Sequence, residues 1–124
     1  MSGIALFVPN DEMYGQAKKI LKDKDNHVTV LKKIRTEDAV TEARKVISEG
    51  VNIIIARGRQ ASEIKRHTNV AVADIVMTAQ ELGLLVIRAK DIVGKECPRI
   101  GIFGWGAMLS DTTYFNQMYH VDLR

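Results

Sequence analysis

The 124-residue chain contains a single cysteine, Cys97, and no apolar run long enough to cross a membrane. One cysteine excludes an internal disulfide, and Cys97 has no cysteine or histidine neighbour at metal-ligand spacing. A bilayer-spanning helix needs about 20 apolar residues, and the start of the chain lacks the basic stretch and apolar run of a secretory signal. We therefore expect a cytoplasmic protein with no membrane contact and no metal site.

The chain also lacks a large excess of charge of one sign. Lys and Arg number 18 against 15 Asp and Glu, which gives a net charge of +3. This excess is too small for a nucleic-acid surface, and the densest cluster, the four lysines between Lys18 and Lys24, falls within one predicted helix, where a solvated face explains it. The length and the 46% hydrophobic content fit one compact domain that makes no direct contact with nucleic acid.

The motifs of catalysis and nucleotide binding are missing as well. No Walker phosphate loop is present, and Gly101-Ile102-Phe103-Gly104 fails the G-x-G-x-x-G spacing of a dinucleotide site. Neither Ser62 nor Ser110 lies in a G-x-S-x-G turn. A receiver domain needs an aspartate where the third apolar run ends in Ala56-Arg57. The sequence therefore supports neither an enzyme nor a bound cofactor.

Short apolar runs alternate with segments of helical spacing along the whole chain. The runs, most of them rich in β-branched residues, predict strands at residues 4–8, 28–31, 51–56, 70–76 and 100–103. Helices are predicted near residues 13–21, 40–47, 61–67, 82–93 and 107–118, although 84–87 also fits a strand. This order predicts an α/β fold, a parallel sheet with helices on both faces joined by right-handed crossovers.

Residues 119–124 look like a sixth strand at the end of the chain. A strand with nothing after it suggests the front part of a longer protein, or a segment that is swapped between copies.

A ligand site is expected at the carboxyl edge of the parallel sheet, where the loops that follow the strands converge. Residues 57–60 carry two arginines around a glycine, directly before a predicted helix, and this arrangement suits a carboxylate or phosphate. Alternatively, Gly58 only turns the chain and both arginines face water. The predicted ligand-binding residues are Asn10, Arg57, Gly58, Gln60, Thr78, Ala79 and Trp105.

Two of these residues have ordinary structural alternatives. Thr78 precedes a predicted helix, so its hydroxyl suits an N-cap as well as a ligand contact. Trp105 lies between two glycines just past a predicted strand, where it forms either one wall of a pocket or a core or interface anchor.

From the third strand onward the sequence resembles a known family. Residues 51–65, VNIIIARGRQASEIK, are followed by TNVAV at 68–72 and IGIFG at 100–104. This pattern is similar to the N-terminal receptor domain of propionate-catabolism-type activators, which are sigma-54-dependent transcription regulators. Arg59 replaces a glycine of the family loop, Gln60 a threonine, and Thr78-Ala79 a Ser-Gly pair. These departures imply a ligand different from the 2-methylcitrate-like acids of the propionate regulators.

The resemblance implies a fold like a periplasmic binding protein, with flavodoxin-like lobes. Residues 1–78 would form the first lobe, 79–98 a crossover helix and linker, and 99–124 the start of a second, incomplete lobe, or else the remainder of a single α/β domain.

The function implied by the resemblance is metabolite sensing. A small anionic ligand would control a downstream AAA+ ATPase and a helix-turn-helix domain of the same polypeptide. The alternatives are a self-contained flavodoxin-like enzyme or nucleotide-binding domain, and a dimerisation module. A homodimer is compatible with each of these.

Overall fold

The computed structural model describes residues 3–22, 27–104, 109 and 112–124. The chain divides into two compact units, Met1–Ile75 and Val76–Arg124.

The first unit alternates strands and helices around one four-stranded sheet. Its elements are β1 (Gly3–Val8), α1 (Asp11–Lys22), β2 (Val28–Lys33), a short 3-10 turn (Thr36–Asp38), α2 (Ala39–Ser48), β3 (Val51–Arg57), α3 (Gly58–His67) and β4 (Ala71–Ile75). All neighbouring strands are parallel, in the order β2-β1-β3-β4. This is the strand order of flavodoxin-like folds, so the predicted α/β fold with a parallel sheet is confirmed.

One face of the sheet carries the core of the first unit. Ala5 and Phe7 of β1 and Ile54 and Ala56 of β3 are completely buried, and they share one cluster with apolar residues of α2 and α3. Side chains alternate between the two faces of a strand, so these residues mark the face that α2 and α3 cover. The connection from β1 to β2 leads toward one side of the sheet, whereas the connections to β3 and β4 lead toward the opposite side. Because such connections are right-handed, α1 lies on the opposite face of the sheet from α2 and α3.

The two faces are covered unequally. No residue of α1 is fully buried, and Ile53, which points away from the Ile54 face, is 37% exposed. The sequence predicted helices on both faces of the sheet. Helices do lie on both, but α1 covers its face only in part.

The strand β4 forms one edge of the sheet. Among the described strands it pairs only with β3, through a register that matches Ile53 with Ala71 and Arg57 with Ile75. An ion pair between Lys65 of α3 and Asp74 of β4 ties the edge strand to the helix before it.

The second unit contains α4 (Ala79–Val93), β5 (Arg99–Ile100), α5 (Phe115–Tyr119) and β6 (Asp122–Leu123). Strands β5 and β6 form a separate two-stranded parallel sheet. A small core joins Leu82 and Val86 of α4 to Phe115 and Val121. None of the helices that the structure describes combines the length and apolarity needed to span a bilayer.

Several predicted boundaries in the second unit are wrong. The strand predicted at 100–103 covers only Arg99–Ile100, and residues 101–104 have no regular structure. Within the described part of the helix predicted at 107–118, Phe115–Tyr119 is helical, and the residues just before it form a turn in which the Thr112 carbonyl accepts the amide of Phe115. Residues 105–108, 110 and 111 lie outside the described residues. The terminal strand exists but is limited to Asp122–Leu123.

Candidate functional site

The carboxyl ends of β1 and β3 are adjacent in the sheet, and each leads directly into a helix. Asn10 follows β1, and its side-chain Oδ1 accepts the backbone N–H of Met13 at 2.8 Å. Asn10 therefore caps the start of α1. The capping bond uses the side-chain oxygen of Asn10, and the NH2 group of the same amide remains a donor at the exposed carboxyl edge of the sheet.

Arg57 ends β3 and reaches across to α1. Its Nη1 lies 3.7 Å from the sulfur of Met13, which connects Arg57 to the same turn that Asn10 caps. The Arg57 side chain is half-buried. Within the described ranges it makes no ion pair with a carboxylate. We call Asn10, Met13, Arg57 and Gly58 the edge site.

Gly58 sets the backbone conformation at the point where β3 passes into α3. Its φ of +58° lies in the left-handed region, where residues other than glycine are strained. Gly58 is buried and begins α3, and Arg57 at the N-cap position offers no side-chain hydrogen bond to the first turn. A helix start presents backbone N–H groups without intrahelical acceptors and carries partial positive charge. The chemistry of the edge site therefore favours an anion.

Gln60 lies in the interior. Only 3% of its surface is exposed, and its Nε2 donates to the Ile34 carbonyl at 3.0 Å. The Oε1 atom is buried without a hydrogen-bond partner in the described part of the chain. Gln60 thus fastens α3 to the end of β2. A ligand contact through its side chain stays a prediction, as do the roles of the other predicted site residues.

The remaining predicted site residues belong to the second unit. Thr78 caps α4 in a capping box, with its hydroxyl accepting the Glu81 amide and the Glu81 carboxylate accepting the Thr78 amide, both at 3.1 Å. Ala79 is the first residue of α4 and is exposed. Trp105 lies outside the described residues. The convergence of these three residues with Asn10 and Arg57 stays a prediction.

The sequence analysis did not include the loop after β2 among the loops that could form the site. Thr36 and Glu37 from this loop, with Arg59 and Glu63 of α3, line a polar cleft of about 190 Å³. Arg59 lies 4.0 Å from Glu63, so part of its charge is balanced within its own helix. The order β2-β1-β3 was the missing information, because it brings the end of β2 to the same edge of the sheet as Asn10 and Arg57.

A second cavity lies within the second unit and is apolar. It has a volume of about 330 Å³ between α4 and the segment 100–104, and its lining contains no charged residue among those the structure describes. Such walls do not suit an anion. No group of three or more His, Cys, Asp or Glu side chains placed to hold a metal ion occurs among the described residues.

Comparison with known proteins identifies a family. The family model described as propionate catabolism activator matches residues 22–124, which include β2 to β6 and the Arg57 loop. No curated protein and no solved structure matches the chain. Because the family model covers most of its residues, the chain belongs to the propionate catabolism activator family, as a regulatory N-terminal domain.

Proposed function

We propose that this chain is a metabolite-sensing domain that binds a small anionic ligand at the edge site. In the regulator it would control a downstream ATPase and DNA-binding region in the cytoplasm. The ligand class is a small di- or tricarboxylate or a phosphate ester. Binding and transmission, rather than catalysis, are the proposed roles.

The observation that carries the proposal is the unpaired guanidinium of Arg57. This half-buried group has no carboxylate partner among the described residues, and a partly desolvated charge without a counter-charge is costly. Among the described residues its guanidinium donates to the weakly accepting sulfur of Met13. An anionic ligand would supply the missing charge and accept two parallel hydrogen bonds from the guanidinium.

Two neighbouring features support the same ligand class. The first turn of α3 begins at Gly58, and its backbone N–H groups favour negative charge. The amide NH2 of Asn10 provides a neutral donor from the adjacent strand end. Together they present donors from two sides, which fits a carboxylate or phosphate.

Transmission would run through α3. Gln60, in the first turn of this helix, is hydrogen-bonded to Ile34 at the end of β2, so a ligand that moves the first turn also acts on the loop before α2. A ligand shifts the balance between two states only if it binds one of them more tightly. The edge site would therefore bind best in the arrangement that releases the downstream region.

Titration calorimetry with a panel of small di- and tricarboxylates and phosphate esters tests the proposal. We expect one class to bind, and Arg57→Ala to weaken it about 10- to 100-fold through loss of a charge-assisted hydrogen bond. Arg59→Ala, two residues further along the chain, removes the same charge from a residue near Glu63 and should leave affinity nearly unchanged. An equal loss of affinity in both variants, or a panel in which no compound binds, would contradict ligand binding at the edge site.

Control of the downstream region needs a separate readout. In the full-length regulator, reporter transcription should respond to the ligand that calorimetry finds, and Arg57→Ala should abolish that response while Arg59→Ala preserves it. If a ligand binds through Arg57 without changing transcription, the domain binds that ligand but does not act as a sensor.

A further inference from the structure

The apolar cavity of the second unit has α4 as one wall and the segment after β5 as the other. Leu82, Leu85, Val86 and Ala89 of α4 line it. Residues three and four apart lie next to each other on a helix surface, so these four form one continuous strip. The opposite wall contains residues 100–104, and every described residue that lines the cavity is apolar or glycine.

The size of this cavity suits a small molecule. Its volume is about 330 Å³, which lies at the lower end of the roughly 300–1,000 Å³ that is usual for ligand pockets. An apolar cavity of about 150 Å³ is already large enough to hold benzene. Leu85 is both a lining residue and 50% exposed. The cavity is therefore open to solvent, and a ligand can enter without unfolding the unit.

The walls select a neutral ligand. A charged group that enters the cavity loses its hydration, and the described lining residues offer no opposite charge to replace it. An apolar group gains by leaving water for the same walls. The preference of this cavity is thus the reverse of the preference of the edge site.

The backbone of Gly101 adds polar groups to the apolar wall. On either side of it, the Ile100 carbonyl accepts the amide of Arg124 at 2.9 Å and the Ile102 amide donates to the Arg124 carbonyl at 2.7 Å. Successive residues of a strand direct their hydrogen-bonding groups to opposite edges. The N–H and C=O groups of Gly101 therefore point away from β6, and they make no hydrogen bond within the described ranges.

Open space surrounds Gly101. A Cβ built at this position would meet no atom within 4 Å, and Gly101 is itself a lining residue. A ligand in the cavity can therefore approach the backbone of Gly101 closely, because no side chain stands in the way.

We propose that this cavity binds a small neutral ligand that has an aliphatic or aromatic body and one amide or hydroxyl group. The body would lie against Leu82, Leu85 and Ala89. The polar group would accept the N–H of Gly101 or donate to its carbonyl, and an amide would do both, as the backbone of a neighbouring strand does. The inference does not depend on anion binding at the edge site.

Hexanamide and hexanoate are matched probes, because they share a six-carbon chain and differ in the charge of the end group. In NMR titrations of the chain, hexanamide should shift the amide resonances of α4 and of residues 100–104, with a dissociation constant in the millimolar range or below. Hexanoate should bind there about tenfold more weakly or not at all, because its carboxylate would lose hydration against uncharged walls.

Two variants of α4 change the shape of the cavity. Ala89→Leu should fill part of it and weaken hexanamide binding about tenfold or more. Leu85→Ala removes part of the wall, and the lost apolar contact should weaken binding about three- to tenfold. Leu84→Ala is the matched control, because Leu84 belongs to the same helix, is 62% exposed and does not line the cavity. Its affinity for hexanamide should be unchanged.

Circular dichroism establishes whether each variant is folded. If Ala89→Leu does not fold, the comparison of Leu85→Ala with Leu84→Ala and the comparison of the two probes still decide the question. The proposal would be overturned if hexanamide shifted no resonance of α4 or residues 100–104, or if hexanoate bound there equally well. An equal affinity in Leu85→Ala and Leu84→Ala would also overturn it.

Discussion

The phenol hydroxyl of Tyr119 occupies the space that a Cβ on Gly83 would need. Gly83 lies in the middle of α4, where glycine costs about 1 kcal/mol relative to alanine. The contact explains why glycine is present despite that cost, because only a residue without a side chain lets α5 approach α4 so closely. Lys90 holds the same pair of helices together by donating to the Tyr119 carbonyl at 3.0 Å.

Gly83→Ala should therefore destabilise the chain even though alanine is the better helix former. Forcing a methyl group into packed space costs about 1–3 kcal/mol, which exceeds the gain in helix propensity. Gly15→Ala in α1 is the control, because a Cβ there meets nothing within 4 Å, and it should stabilise by up to about 1 kcal/mol. Urea unfolding measures both, and a Gly83→Ala chain as stable as the unmodified one would disprove the packing argument.

Gln60→Glu should be strongly destabilising near neutral pH. A carboxylate at this buried position would face the Ile34 carbonyl without a donor, at a cost of about 3 kcal/mol. Burial raises the pKa of the introduced carboxyl above its unfolded value, so the variant should recover stability as the pH falls and the protonated acid donates to Ile34. Gln60→Met, which loses only the hydrogen bond, should cost about 1–2 kcal/mol and show no such recovery.

Thr78→Ala should lower the stability of α4 by about 1 kcal/mol, because it removes the hydroxyl that accepts the Glu81 amide. Thr78→Ser keeps the hydroxyl and should be nearly neutral. Hydrogen exchange of the first-turn amides of α4 reports this locally. Equal protection in the alanine and serine variants would show that the capping box contributes little.

Asp122 should titrate below its ordinary range. The pKa of this carboxyl is lowered chiefly by the hydrogen bond from Arg124, with Arg99 adding to the effect. Its contribution to stability is therefore complete above the unfolded pKa and is lost as the pH falls through the lower folded pKa. An NMR titration should find that Arg124→Gln raises the pKa of Asp122 more than Arg99→Gln does. An unchanged pKa in both variants would exclude these contacts in solution.

The first unit was largely predictable from the sequence because its local pattern and its packing agree. The apolar runs at 4–8 and 51–56 coincide with β1 and β3 to within a residue. Gly50, the glycine that follows the second predicted helix, has a positive φ of 103°, a conformation that suits a chain reversal after a helix. Parallel strands linked by helices leave few alternative arrangements, so the parallel sheet followed from the alternation, whereas the strand order did not.

The second unit was less predictable because its strands depend on distant residues. The apolar run 100–103 forms a ladder only where β6 offers partners, and this limits β5 to Arg99 and Ile100. Beyond them Ile102 donates its amide to Arg124 at 2.7 Å without extending the strand. A sequence window around Ile100 contains no information about a partner more than twenty residues away.

The ligand site itself stays a prediction, but the sequence could indicate which strand ends lie together. The rule about carboxyl strand ends directed attention to Arg57 and Asn10, and both contact Met13 in the structure. The rule did not distinguish the buried Gln60 from the other residues of the loop. Gln60, Ala61 and Ile64 are all buried, and their spacing marks the side of α3 that faces the core. A polar residue in that pattern is more often an interior hydrogen-bonding group than a ligand contact.

The outer edge of β4 has no strand partner among the described residues. An unpaired strand edge invites other strands to add to the sheet and begin aggregates. Here the edge strand is only five residues long and carries the charged Asp74, paired with Lys65. Any incoming strand would have to displace or bury that pair, which blocks open-ended growth through the sheet. The charged pair therefore acts as a guard against sheet-to-sheet aggregation at this strand.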